Sequence, residues 1–372
     1  MSFLYENLLA ITWQQVAMWA IGSILIYLAI KKDMEPSLLL PIGFGAILVN
    51  LPFSGAVDQL INNALQEGPL STLYHAGIAN ELFPLLLFIG IGAMCDFGPL
   101  LSNPVMMLFG AAAQFGIFFV LCIASMFFPI NDAASIATIA AADGPTAIVV
   151  AEKLGSQYLG PIMVAAYSYM ALVPIIQPPV IKLLTSKKER RIHMDYEPKN
   201  VSKTTRIVFP IIITVVAGLI SPASVSLVGF LMFGNLIKEC GVLDGLNATA
   251  QDALTNIITL ILGITIASQM QAEQFLSVNT LIILGLGLFG FIFDTAGGIM
   301  FAKFLNIFLK KKVNPMIGAA GISAFPMSGR IVHKLGLEED NQNFLLMHSM
   351  AVNVSGQIAS VVAGGLILSM FM

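Results

Sequence analysis

The sequence predicts an all-α polytopic membrane protein, and three observations carry that expectation. Of the 372 residues, 57% are hydrophobic and only 10% are charged, whereas soluble domains run near 25% charged. Runs free of Asp, Glu, Lys and Arg cover residues 97–131, 154–181, 207–237 and 341–372, with His348 the only histidine among them. Each is longer than the roughly 20 residues that carry a helix across a bilayer. The alternating pattern of a membrane β-strand is absent.

Orientation follows from the basic loops. Lysines and arginines gather in "KKD" at 31–33, in "TSKKERR" at 185–191 continuing to Arg206, and in "KKK" at 310–312. Cytoplasmic loops of membrane proteins carry such an excess, so all three are placed inside. With that constraint, helical spans are expected near 16–31, 36–52, 82–95, 105–130 and 158–182, with a broken segment at 134–153. A second series is expected at 207–220, 222–237, 255–270, 279–308 and 343–372, with a broken segment at 316–335. The N-terminal "MSFLYENLLAITWQQ" has neither a basic n-region nor a cleavage site, so the first apolar segment is expected to stay as a helix. Cys95, Cys122 and Cys240 lie in or beside apolar segments without ligand spacing, which predicts neither a disulfide framework nor a zinc site. Nucleic-acid motifs and phosphate-binding loops are absent, so the expected surroundings are lipid and protein, with no nucleic acid.

The two series read as one unit written twice. "EPSLLLPIGFGAILVNL" (35–51) matches "SPASVSLVGFLMFGNL" (221–236), pairing Pro36 with Pro222, Gly43 with Gly229 and Asn50 with Asn235. "FIGIGAMCDF" (88–97) matches "ILGITIASQM" (261–270), "DGPTAIVVAEKLG" (143–155) matches "AFPMSGRIVHKLG" (324–336), and "SYMALVPIIQ" (168–177) echoes "SMAVNVSGQ" (349–357). The matches keep their order. This divides the chain into a first transmembrane repeat (1–185), a cytoplasmic basic linker (186–206) and a second transmembrane repeat (207–372). If each broken segment is a re-entrant hairpin, each unit crosses five times, and an odd count inverts the second copy. Inverted repeats with broken helices meeting at the midplane are a transporter architecture. Here it is expected to be elevator-type, one bundle carrying both hairpins past the other.

The centre of that architecture is "IAAADGPTAIVV" (139–150), where Asp143 sits in apolar sequence just before two helix breakers, Gly144 and Pro145. An ionised Asp at the bilayer centre costs roughly 2.5 to 3.5 kcal/mol on insertion scales. It therefore needs a bound cation or a proton, and freed backbone carbonyls beside a carboxylate suit a hard cation such as Na⁺. The competing reading is that Asp143 caps a helix at the interface and Gly-Pro is a turn; it leaves Pro326 in the second copy unexplained. Asn353 suits a cation ligand and an interhelical hydrogen bond equally. Asp96, before "FGP", reads as a helix-end cap, Asp294 as functional or as a polar group with a partner inside the bundle, and His348 as a satisfied buried histidine.

Three segments, "AADGPTAI" (141–148), "NPMIGAAGISAFPMSGR" (314–330) and "HSMAVNVSGQIASVVAGG" (348–365), resemble the membrane β-subunit of the biotin-dependent, sodium-pumping decarboxylases. That family includes the oxaloacetate, methylmalonyl-CoA, glutaconyl-CoA and malonate enzymes. The resemblance implies a translocase subunit that decarboxylates carboxybiotin and exports Na⁺ while taking up a proton from outside. It implies Na⁺ as cargo and carboxybiotin supplied by a partner rather than bound covalently here. The implied partners are a carboxyltransferase (α) subunit, a biotin carrier protein or domain and a small single-span γ/δ subunit; a homo-oligomer is compatible with it. A bacterial or archaeal cytoplasmic (inner) membrane is the implied location. By position, Asp143 becomes the Na⁺/H⁺ carboxylate, and Tyr169, Ser323, Asn314 and Asn353 join it as oxygen ligands or proton donors. Arg330 would act in catalysis by holding the biotin carboxylate through a forked pair of hydrogen bonds. Gly144, Pro145, Gly318 and Pro326 would shape the hairpins. The rival readings are a stand-alone Na⁺-coupled secondary transporter or Na⁺/H⁺ exchanger, and a purely structural anchor, against which polar residues at membrane depth argue.

Overall fold

A computed structural model describes residues 2–61, 64–196 and 200–372. Helices form where the sequence is apolar, and several run through internal prolines: Pro41, Pro174, Pro178, Pro179 and Pro210. Helix α1 (Trp13–Lys32) starts at a capping box made by Thr12 and Gln15 and ends on Lys31 and Lys32, whose charges favour the carbonyl end of a helix. Helices α2 (Pro36–Val49) and α3 (Leu82–Met94) are short, and α3 is bent by 62° from a preceding segment, Pro69–Ile78. Helix α4 (Pro104–Ala124) is interrupted at Gln114. Helix α5 (Ile130–Ala137) and helix α6 (Gly144–Lys153) flank the first break, and α7 (Leu159–Leu184) completes the series.

The second series runs through α8 (Lys203–Ile220), α9 (Val225–Cys240), α10 (Thr255–Ile266) and the long α11 (Val278–Phe308). A 3₁₀ segment, Pro315–Gly321, and α12 (Met327–Glu339) flank the second break, and α13 (Leu346–Phe371) follows. Among the described residues, eight helices are long and apolar enough to cross a membrane, nine if the bent pair counts as one span. Large apolar side chains lie bare along them, Leu219 at 80% and Ile307 at 76% exposure among others, as lipid contact requires. The chain is an all-α, multi-pass membrane protein.

Packing sorts the helices into two groups. In one, α1 lies on α2, α2 on α10, α3 on α9, and α8 on α9. In the other, α11 packs against α4, α7 and the Pro315–Gly321 segment, while α13 packs against α4 and α12. Both broken segments belong to the second group, and α6 lies against α3 of the first. The breaks fall within the segments predicted at 134–153 and 316–335, although their flanking helices reach further, to Ile130 and to Glu339.

Two features differ from the sequence reading. Residues 59–61 and 64–66 form a small antiparallel pair, too short to show a strand period. The basic linker is also no free chain in its first part. Arg190 Nε meets Glu339 Oε1 at 2.6 Å, both side chains being largely buried. Arg191 Nε donates to the Glu339 carbonyl at 3.2 Å, and His193 faces Asp340 at 2.7 Å. The Gln342 amide and then His193 hold the Asp340 carboxyl below the usual carboxylate range. The linker thereby clamps the end of α12, the helix that leaves the second break. Cys95, Cys122 and Cys240 are free thiols.

Candidate functional site

The two breaks meet. In the first, a 3₁₀ turn (Thr138–Ala141) extends α5 and ends at Ala142, which is forced into the left-handed region with φ +50°. That conformation costs a non-glycine residue roughly 1 to 2 kcal/mol and, where it persists, often marks a functional constraint. It turns the chain so that Asp143 precedes α6, whose first residues are Gly144 and Pro145. In the second, Ser323 donates its backbone N–H to the Ala141 carbonyl at 3.1 Å. The two tips are thus tied backbone to backbone.

Asp143 is 2% exposed, and one oxygen, Oδ2, receives side-chain donors from three elements. Thr146 Oγ1 donates at 2.8 Å from its own helix, Ser323 Oγ at 3.1 Å from the opposite tip, and Ser360 Oγ at 2.6 Å from α13. Gln357 Nε2, also on α13, lies at 3.4 Å. Among the described residues no basic side chain makes an ion pair with it. The nest suits an anionic oxygen, yet no fixed positive charge balances it. Such a group is stable when a mobile cation or a proton supplies the balance.

Asp143, Ser323 and Gln357 line a cavity of about 340 Å³ between the two helix groups. Glu35 and Asp252 line it from the first group and Arg330 from the second. The basic-loop expectation would put these three on the cytoplasmic side. The cavity therefore links the buried carboxylate to a region with a guanidinium and two further carboxylates.

The remaining predicted residues are dispersed around this centre. Pro326 lines the cavity beside Arg330, and Pro145 lines it beside Asp143. Asn353 braces the second tip, its Nδ2 donating to the carbonyls of Ala320 at 3.0 Å and Ile322 at 2.8 Å, while its Oδ1 is buried without a hydrogen-bond partner. Gly318 lies against Gly298 of α11, so close that a Cβ on either would sit 2.0 Å from the other's carbonyl oxygen. Tyr169 donates its hydroxyl to the Leu284 carbonyl on α11 and is not brought to Asp143. Asn314 is likewise held elsewhere. Its Nδ2 donates to the carbonyls of Arg190 and Ile192 in the linker and its Oδ1 accepts from the Met316 amide.

Thr146, Gln357, Ser360 and Tyr167 are the site residues that the sequence reading missed. A signal existed for two of them. Asn353, Gln357 and Ser360 follow helical spacing in a charge-free span, which places them on one face of α13. The secondary polar residues resolve as follows: Asp96 accepts from the Gly98 amide at 2.8 Å and lies 3.7 Å from Arg206 Nη1. Asp294 accepts from the Gly116 amide at the break in α4. His348 packs edge-on to Tyr196, with Nε2 unpartnered.

The family model described as the Na⁺-transporting oxaloacetate decarboxylase beta subunit matches residues 14–371. The methylmalonyl-CoA decarboxylase subunit beta of Propionigenium modestum is 48% identical over 374 residues, covering 96% of this chain and 94% of that protein. The chain belongs to the sodium-transporting decarboxylase β-subunit family. The glutaconyl-CoA decarboxylase subunit beta of Acidaminococcus fermentans is 47% identical over 98% of this chain and 95% of its own length. The oxaloacetate decarboxylase beta chain of Klebsiella pneumoniae is 42% identical over 95% and 94% respectively. These β-subunits come from enzymes named for different acyl substrates, so membership does not choose among those substrates. The resemblance read from the "DGPT" and "NPM" segments thus extends over nearly the whole β-subunit.

Proposed function

We propose that this β-subunit decarboxylates carboxybiotin at its cytoplasmic face and exchanges Na⁺ for H⁺ at Asp143. The observation that carries the reading is the buried Asp143 carboxyl, held by Thr146, Ser323 and Ser360, opening on the same cavity as Arg330. Carboxybiotin on a carrier subunit reaches the cavity mouth, where the Arg330 fork holds its N-carboxylate. The C–N bond breaks with its electron pair on the ureido nitrogen, CO₂ leaves, and that nitrogen takes a proton. The proton comes from Asp143, which obtained it from the outer side. The carboxylate left behind binds Na⁺ from the cytoplasm, and the loaded site then turns outward, where H⁺ replaces Na⁺. Each turnover removes one proton from the site, so decarboxylation pulls the exchange in one direction.

An inverted repeat supplies the moving parts in this reading. Its support includes the paired asparagines. Asn50 ties α2 to the end of the α10 segment through the Met270 carbonyl at 2.8 Å and the Ala272 amide at 2.7 Å. Asn235 ties α9 to the end of α3 through the carbonyls of Gly92 and Cys95. The first repeat (1–185) and the second (207–372) would each give helices to both groups. The group holding both breaks would slide past the other, in the elevator manner. A carboxyltransferase (α) subunit, a biotin carrier and a small γ/δ subunit would complete the complex in a bacterial or archaeal inner membrane.

The test is competition. In proteoliposomes carrying the assembled complex, the Na⁺ concentration for half-maximal decarboxylation is expected to rise by about tenfold per pH unit as pH falls through the range where Asp143 binds its proton, the limit for one ion displacing one proton. A half-saturation unchanged across acidic pH contradicts a shared carboxylate.

A further inference from the structure

The first break carries a second polar group that the reading above leaves unused. Tyr167 lies on α7, fully buried, and its hydroxyl has no hydrogen-bond partner. An orphaned buried hydroxyl costs roughly 1 to 3 kcal/mol of desolvation, so its retention calls for a reason. The ring's hydroxyl-bearing end is the part nearest Gly144. A Cβ built on that glycine would sit 2.4 Å from Cζ and 2.5 and 2.7 Å from the two Cε atoms. Any larger residue beside Asp143 would occupy the space that the phenol fills, which gives Gly144 a role beyond breaking the helix. Tyr167 also lines the cavity with Asp143, Ser323 and Gln357. Its ring packs in an apolar cluster with Leu38 and Ile258 of the opposite helix group. The phenol therefore stands where the carboxylate site meets the boundary between the groups.

The neighbouring Tyr169, which the resemblance had selected, spends its hydroxyl on the Leu284 carbonyl. Two tyrosines two residues apart thus have different duties: one anchors α7 to α11, the other leaves its oxygen uncommitted in the wall of the cavity that Asp143 also lines.

We infer that the Tyr167 hydroxyl is a ligand of the sodium ion at Asp143. A neutral phenol oxygen has a lone pair for a hard cation and adds no charge, so Na⁺ and H⁺ still compete for the one carboxylate. The inference rests on the proposal that Asp143 binds Na⁺. It adds a residue that distinguishes Na⁺ from H⁺, because a proton on Asp143 does not need a second oxygen ligand.

The test is Tyr167→Phe in the full complex, read by heat stability with and without NaCl (choline chloride as the control salt) and by Na⁺-dependent decarboxylation. Removing an orphaned hydroxyl is expected to leave Tm in choline unchanged or higher. The Na⁺ needed for half-maximal thermal protection and for half-maximal rate is expected to rise by about five- to tenfold, in line with one lost polar contact. The rate at saturating Na⁺ and the slope of Na⁺ affinity against pH should be preserved. Unchanged Na⁺ half-saturation in Tyr167→Phe, with Na⁺ protection lost in Asp143→Asn, overturns the inference alone. Full Na⁺ protection in Asp143→Asn overturns the reading beneath it. A lower Tm in choline together with a lower saturating rate assigns Tyr167 a packing role and also overturns the inference.

Discussion

Asp143→Asn is expected to abolish Na⁺ transport and the Na⁺ stimulation of decarboxylation, each by about a hundredfold or more, while the protein still folds. The substitution keeps size and shape. Its amide oxygen can still accept from Thr146, Ser323 and Ser360, which reach the carboxylate at 2.8, 3.1 and 2.6 Å. What disappears is the negative charge, and with it the attraction that holds a cation in a poorly solvated site. Breaking one side of a buried charge pair costs roughly 3 to 5 kcal/mol, which sets the expected hundredfold or greater. Transport of radioactive Na⁺ into proteoliposomes gives the first number. Gel filtration and heat stability show whether the fold survives. Asp96→Asn serves as the control carboxylate, since Asp96 caps the Gly98 amide away from the cavity. It is expected to transport within about twofold of the parent, as for a surface substitution.

The second large effect concerns packing. Gly318→Val is expected to prevent the second break from closing, with a loss of about 3 kcal/mol or more in stability, the upper range for forcing added carbons into a packed interior. The physical reason is a backbone-to-backbone contact. Any Cβ at Gly318 would lie 2.0 Å from the Gly298 carbonyl oxygen and 2.4 Å from its carbon, neither of which is a side chain that can swing aside. Ser323 lies two residues beyond the Pro315–Gly321 segment, so displacing that segment would withdraw it from Asp143. The expected readout is a fall in monodisperse yield and, for the milder Gly318→Ala, a weakened Na⁺ response. Gly285→Val, on the same α11 but with open space where its Cβ would lie, is expected to do neither. Comparable behaviour of the two variants would contradict a packing role specific to Gly318.

These predictions draw on information of different kinds in the chain. The spans were legible because a bilayer rewards uninterrupted apolar sequence. The breaks were legible because "DGP" and "FPM" cannot continue a helix. The donors to Asp143 were less so. Ser360 and Thr146 are small hydroxyl residues of a type common throughout apolar helices, and only the fold reveals which of them converge on one oxygen. Tyr169 and Tyr167 were indistinguishable by spacing alone, because two residues on a helix point in different directions and nothing local says which direction holds the acid. Asn314 could not be separated from a ligand by residue type. Its bonds to Arg190 and Ile192 depend on where the linker folds back, a long-range event invisible in local pattern. Gly298 and Gly318 likewise show their meaning only as a pair.

The most direct measurement counts protons released when Na⁺ binds. Purified complex in weakly buffered detergent solution is mixed with NaCl, and the pH change is followed with an indicator dye against a choline chloride blank. Alternation of the two ions on one carboxyl predicts acidification that grows as the starting pH is lowered, saturates with Na⁺ and is missing from Asp143→Asn. Sodium binding, seen as thermal protection, with no proton release at any starting pH would contradict it, as would equal release from the Asn variant.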